Sequence, residues 1–256
     1  MKDKKIILLG GRAESTDMVF NALNRTFGIE TVIIEEKESL KLFLRRRIKR
    51  LGIITVLGQI SFQIFIPKVL NAISKNRKKE IIELYNLDIT DISKEKVKLV
   101  KSVNAQSTIE LIKEINPDLI IVNGTRIISK KVLQSVSCKF INTHAGITPM
   151  YRGVHGTYWA LVNNDIENSG VTVHFVDEGI DTGNIIEQKK VEITSKDNFV
   201  TYPLLQVSNG IEILISSIKN CFNGNITILN KTGLSNLYYH PTIWQYLYYR
   251  IIRKVK

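Results

Sequence analysis

The chain has 256 residues, 44% of them hydrophobic and 23% charged. That is enough apolar material for one substantial core and too little charge for wholesale disorder. A net charge of +12 points to anionic partners, whether nucleic acid, phosphorylated metabolites or an acidic membrane surface, without choosing among them.

Ile6 to Leu9 is a short apolar run closed by Gly10-Gly11. It is too short for a signal peptide's core, so the protein is expected in the cytoplasm. It reads as a buried strand ending in a tight turn. A helix follows, capped near Ser15 or Thr16, with Met18, Val19, Leu23 and Phe27 on its apolar side. Thr31 to Ile34 is a second strand. This strand–helix–strand order predicts a parallel sheet with crossover helices.

Residues 37–83 interrupt the rhythm. Arg45, Arg46, Arg47, Lys49 and Arg50 precede a mostly apolar stretch, Leu51 to Leu70, and Lys75, Arg77, Lys78 and Lys79 follow it. Gln59, Ser61, Gln63, Pro67 and Lys68 lie inside the apolar part, which argues against a transmembrane helix. Two inserted amphipathic helices are expected. Either they pack on the core with solvated basic flanks, or those flanks meet acidic lipid or a phosphorylated substrate.

The alternation then resumes. Strands are expected at Val97–Val103, Asp118–Val122, Phe140–Ile141, Gly170–Val176 and Ile185–Ile193. Helices are expected at Ser107–Ile115, which Asn116-Pro117 breaks, at Ser129–Val136, and at Val200–Phe222 with Pro203 in its first turn. The 34 residues after Phe222 are aromatic and basic. Ile243, Tyr246, Leu247 and Ile251 have the spacing of an amphipathic helix, although interleaved aromatics and cations also suit single-stranded nucleic acid. Cys138 and Cys221 form no Cys-x-x-Cys pair and read as reduced thiols near the core.

The polar residues that could do chemistry follow strand ends, where open parallel sheets bind ligands. Asn142 and His144 are two apart in an extended segment, so they face the same side. Asp181 follows a different strand, between Gly179 and Gly183, glycines that allow tight backbone geometry. An amide, an imidazole and a carboxylate can together run acyl transfer. By residue type alone, an Asn-x-His is more often a satisfied polar turn. The four histidines, His144, His155, His174 and His240, follow no zinc spacing, so no metal is expected. His174 lies on a β-run and reads as structural; His155 falls near the expected pocket.

Asn142-Thr143-His144-Ala145, Pro149, Arg152-Gly153, Ala160, Gly170-Val171-Thr172-Val173-His174 and Asp177-Glu178-Gly179-Ile180-Asp181-Thr182-Gly183 together resemble the folate-dependent formyltransferases. Pro117 to Val122 matches the strand before that family's folate loop, and the resemblance runs from about Asn116 to Glu192. It implies an α/β, Rossmann-like fold: a mostly parallel sheet flanked by helices, with a helical insertion and a short C-terminal helical and aromatic tail. The catalytic domain would be 1–222, with the insertion at 37–83, and the extension 223–256. The trio Asn142, His144 and Asp181 would be catalytic, and 10-formyltetrahydrofolate the formyl donor. The folate would lie against Asn123, Gly124, Thr125, Arg126 and Ile127, and against Val176, Asp177, Glu178, Gly179 and Ile180.

Three acceptor amines are open within that family. The tRNA enzyme carries a further barrel-like domain, longer than the 34 residues after Phe222. The purine-pathway enzyme begins with a Ser/Gly/Asn-rich phosphate loop, where this chain has Gly10-Gly11-Arg12, and it lacks the insertion. The sugar N-formyltransferases resemble this chain in Thr143 to Pro149 and Tyr151 to Gly156. A nucleotide-linked amino sugar is therefore the expected acceptor, held by Gly10, Gly11, Arg12, Tyr151, Arg152, Gly153 and His155. A nucleotide diphosphate suits a basic face, with Arg12, Arg126 and Arg152 as candidate partners. A non-catalytic folate-binding or lipid-surface protein is the rival from another class. No nucleic acid is expected as partner; the insertion and tail are candidate surfaces for peripheral membrane contact or a homodimer.

Overall fold

A computed structural model describes residues 4–256. The first apolar runs become strands: β1 (Ile6–Gly11), then, after helix α1 (Glu14–Phe27), β2 (Ile29–Glu35). Strand β3 (Val97–Val100) precedes α5 (Gln106–Ile115), β4 (Leu119–Asn123), α6 (Lys130–Leu133) and β5 (Lys139–His144). Later come β7 (Gly170–Phe175), β8 (Ile185–Lys190) and α8 (Tyr202–Phe222). Among the described residues these seven strands form one sheet in the order β3-β2-β1-β4-β5-β7-β8. The first five are parallel, and β7 runs antiparallel to both its neighbours.

Side chains alternate along β1. Ile6 and Leu8 pack in the layer of α1 and α8, while Ile7 and Leu9 pack in the layer of α5. Both faces are covered, so the strand reads as a continuous apolar run. Strand order reverses between β1 and β4, which leaves a crevice at their carboxyl ends.

Local stops follow the sequence closely. Asn116 takes a left-handed φ of 51° and ends α5. Helix α1, by contrast, starts at Glu14 after Ala13, with no side-chain cap. The expected caps are employed elsewhere: Thr16 Oγ1 donates to the Gly11 carbonyl at 2.8 Å and accepts from Asn123 Nδ2 at 3.0 Å.

The insertion holds three helices rather than the expected two: α2 (Leu40–Leu51), α3 (Ile53–Ile73) and α4 (Lys75–Leu84). Gly52, at φ 80°, splits the first from the second, a turn that glycine makes without the Cβ penalty. Ser74 separates α3 from α4. Arg77 on α4 ties the insertion to the domain through both oxygens of Asp197, at 2.8 and 3.0 Å.

The C-terminal tail packs on its own chain. The short strand β6 (Arg152–Gly153) pairs with β9 (Leu237–Tyr238). Helix α9 (Ile243–Ile252) begins with a capping box, Thr242 with Gln245. Phe62 from α3, Phe199, and Tyr246 from α9 form an aromatic cluster, with Phe62 4.8 Å from Phe199 and 5.3 Å from Tyr246, ring to ring. Tyr158 and Trp159 of α7 (Gly156–Val162) complete that core. The aromatic spacing of the tail is therefore that of a docked helix.

Candidate active site

Asn142 and His144 project from the carboxyl end of β5, two residues apart. Asp181 enters from the loop after β7 and meets them. His144 Nδ1 lies 3.3 Å from Asp181 Oδ2, and the Gly153 amide donates to that same oxygen at 3.0 Å. Asp181 itself takes the left-handed backbone, φ 52°, whereas Gly179 and Gly183 do not. Gly183 serves another purpose: a Cβ there would stand 1.6 Å from the Phe175 carbonyl oxygen. Contact between loop and strand end demands that glycine.

Hydrogen bonds assign the imidazole protons. His144 Nε2 lies 2.7 Å from the Tyr151 carbonyl oxygen, an acceptor only, so Nε2 carries a hydrogen. Nδ1 is then the nitrogen that gains or loses a proton, and it faces Asp181. His174, on β7, has Nδ1 2.8 Å from the Phe175 carbonyl, and its Nε2 accepts from Asn142 Nδ2 at 3.1 Å. That Nε2 is also 3.7 Å from Asp181 Oδ1.

Burial pulls His144 below the ordinary imidazole range, against the raising effect of Asp181. Burial would raise Asp181, but His144, His174 and the Gly153 amide outweigh it and hold the carboxyl at about 2. At neutral pH the pair rests as a carboxylate beside an uncharged imidazole, poised to share an incoming proton.

These groups line a cavity of about 750 Å³, a size suited to a small organic ligand. Of the residues expected to meet the folate, Gly124, Thr125, Arg126, Ile127, Val176, Asp177, Gly179 and Ile180 line it; of those expected to hold the acceptor, Gly153 and His155 do. Two expected folate contacts do not. Asn123 turns its amide to the Ser15 and Thr16 hydroxyls, and Glu178 pairs with Lys130 at 3.0 Å. Among the expected acceptor residues, Gly11 and Arg12 line a separate cavity on the β2–β3 side of the sheet. A Cβ on Gly10 would meet Thr16 at 2.6 Å, so that glycine admits α1 rather than a ligand. Tyr151 is buried, with its hydroxyl on Asp165 at 2.7 Å, and it offers the site only the carbonyl that orients His144. Arg152 donates to the Ile180 carbonyl at 2.9 Å and lines a smaller cavity of about 250 Å³ beside Asp181. Arg126 pairs with Glu35 at 2.6 Å, so its guanidinium is already partnered.

Three contributors escaped sequence reasoning. His174 was legible: Thr172 and His174 alternate against Val171 and Val173, so one polar side of β7 faces Asn142 and His144 in register. His240 and Gln59 had no local signal. His240 Nδ1 lies 2.8 Å from His155 Nε2 on the cavity wall, Gln59 Nε2 donates to the His240 carbonyl at 2.7 Å, and Arg47 Nε donates to Gln59 at 2.9 Å. This chain links the insertion to the cavity.

A doubly wound sheet with amide, imidazole and carboxylate gathered at its carboxyl edge defines an α/β protein with a group-transfer type of site. A family model described as formyl transferase matches residues 69–208, and the chain belongs to that family. The methionyl-tRNA formyltransferase of Thermodesulfovibrio yellowstonii is 36% identical over 126 residues, which cover 49% of this chain and 41% of that protein. The chain spans less than half the length of the curated relatives it matches. The phosphoribosylglycinamide formyltransferase of Streptococcus pneumoniae superposes with a TM-score of 0.55 at 19% identity, covering 86% of this chain and 99% of that one. A sugar N-formyltransferase from Shewanella sp. gives a TM-score of 0.56 at 15% identity, covering 91% and 76%. The fold is the Rossmann-like one these proteins share.

Proposed function

We propose that the chain is an N-formyltransferase that moves the formyl group of 10-formyltetrahydrofolate onto the primary amine of a nucleotide-linked amino sugar. A dTDP-4-amino-4,6-dideoxyhexose of surface polysaccharide (lipopolysaccharide O-antigen) synthesis is an example. The observation that carries this reading is the convergence of Asn142, His144 and Asp181 on one cavity wall. The cavity fits a folate in kind. Apolar Val122, Ile127, Ile128, Val176 and Ile180 can hold a flat ring, and the glycines at 124 and 179 bring backbone groups close to it.

The folate supplies the formyl carbon; the chain's residues handle charge and protons. Asn142 has one amide hydrogen on His174 and a second free to donate to the formyl oxygen as negative charge develops there. His144 Nδ1 takes the proton the attacking amine gives up. That proton, held on Nδ1 against the Asp181 carboxylate that faces it, can be returned to the departing folate nitrogen. Removing one such donor typically costs about two to three orders of magnitude in rate. Asp181 keeps the imidazole oriented and stabilises its charged form.

The sugar reading rests on the Thr143–Pro149 and Tyr151–Gly156 resemblance and on the insertion that reaches the cavity through Gln59 and His240. A tRNA acceptor is the second reading, favoured by the 36% identity to methionyl-tRNA formyltransferases. Labelled formyl folate, offered with nucleotide amino sugars, glycinamide ribonucleotide and methionyl-tRNA in turn, tests both. Turnover of a nucleotide amino sugar, lost in Asn142→Ala and His144→Ala, is expected. Turnover of glycinamide ribonucleotide or methionyl-tRNA alone would overturn the sugar assignment. Near-normal rates in both variants would overturn the trio.

A further inference from the structure

Among the described residues, α3 is the one helix long and apolar enough to cross a membrane; its 21 residues span about 31 Å. One side is fixed to the domain. Gln59, Phe62 and Leu70 are buried, and Phe62 sits in the aromatic cluster with Phe199 and Tyr246. The other side is bare. Ile54, Leu57, Ile64 and Phe65 fall along one helical face and are 72%, 56%, 57% and 58% exposed. Helix α9 packs beside α3 and carries exposed Leu247 and Ile251 of its own. Contiguous apolar surface of this kind marks an interaction site.

We infer that this face docks on an anionic lipid surface, with α3 lying in the plane of the interface. Charge selects the occupant. Residues 40–84 hold eleven lysines and arginines against two acidic residues. Arg46, Arg77 and Lys79 have ion-pair partners. Lys41, Arg45, Lys49, Lys68, Lys75 and Lys78 have none among the described residues. A second copy of the chain would bring the same positive excess against itself. A bilayer interface offers acyl chains to the apolar stripe and anionic headgroups to its cations, and long lysine side chains such as Lys68 can bend outward to reach them. Crossing the bilayer would require pulling Gln59 off His240 and Phe62 out of its cluster. Lying flat leaves both contacts intact.

Flotation of the full chain with vesicles tests the inference. Phosphatidylcholine vesicles containing about one-third phosphatidylglycerol should carry it upward, while pure phosphatidylcholine should not; raised salt should weaken the anionic binding. Trp244, half exposed and packed on Gly58 of α3, should shift its emission to the blue on binding. Ile54→Glu/Phe65→Glu should lower vesicle partition about tenfold or more. Lys41→Glu/Arg45→Glu/Lys49→Glu should lower it on anionic vesicles. All these positions are exposed or at the surface, so circular dichroism should match the parent. No flotation with anionic vesicles overturns the proposal. So does a dimer in sedimentation that Ile54→Glu/Phe65→Glu dissociates, because the face would then belong to a second copy. Flotation unchanged in both variants overturns it as well.

Discussion

Asp181→Asn isolates the charge of the central carboxylate from its shape. Its carboxyl is held at about 2 against an ordinary 3.8. Each pKa unit corresponds to about 1.4 kcal/mol, so its surroundings favour the ionised form by about 2 to 3 kcal/mol. Asparagine tolerates the left-handed backbone of position 181 and keeps an oxygen for the Gly153 amide. The fold should survive while His144 loses its charged partner. If that partner stabilises the imidazolium in the transition state, kcat/KM should fall about 100-fold, the equivalent of about 2.7 kcal/mol. The pH profile provides a second readout. His144 must be uncharged to accept a proton, so activity falls as pH drops through its pKa, which burial places below 6.5. Asp181 opposes that lowering, so its loss should move the acid limb to still lower pH. The stability sign is separate. A depressed carboxylate contributes fully above its unfolded pKa of about 3.9, and the contribution vanishes as pH falls through about 2. Asp181→Asn should remove that part of the acid-unfolding slope. Initial rates of labelled formyl transfer across about pH 5 to 8, with thermal melts alongside, make the measurement. A rate within about threefold of the parent at an unchanged melting temperature would refute the proposed coupling.

Other consequences follow from the packing. Gly183→Ala places a methyl 1.6 Å from the Phe175 carbonyl oxygen and should destabilise the chain by about 3 kcal/mol or more, visible as a lower denaturant midpoint. Asp197→Ala removes the buried partner of the 13%-exposed Arg77 side chain, leaving it Glu80, and takes the acceptor from the Thr194 amide and hydroxyl; it should cost about 1 to 3 kcal/mol, and limited proteolysis should then cut first near α4. Cys138, whose thiol burial pushes up to about 11, should react with a disulfide reagent at pH about 8 far more slowly than after unfolding. Gln59→Leu removes the amide between Arg47 and the His240 carbonyl. It should raise the acceptor KM with little change in kcat if the insertion shapes the acceptor end of the cavity.

Much of the fold was legible because local and global preferences agree. Ile6–Leu9 and Leu119–Val122 could be read as buried strands from their apolar runs alone, and Asn116-Pro117 stops α5 by its own backbone chemistry. The insertion misled in its number of helices: Gly52 and Ser74 both break it, so the basic–apolar–basic pattern that suggested two helices folds as three. The convergence of Asn142, His144 and Asp181 on one cavity was legible in the motifs, since Asn142 and His144 share a side of one strand. Arg12 and Tyr151 were misplaced for a different reason. Proximity in sequence to a motif says nothing about which side of a sheet a turn opens on.

By itself, the sequence determined the strand–helix alternation, the family motifs and the residues able to move a proton or bind an oxyanion, because each depends on identity and near-neighbour spacing. Only the tertiary structure decided that Tyr151 contributes its backbone rather than its ring, and that Gln59 and His240 join the insertion to the cavity. Those contacts bridge up to 181 residues of chain, and no local periodicity encodes a pairing that chain closure and core packing alone bring about.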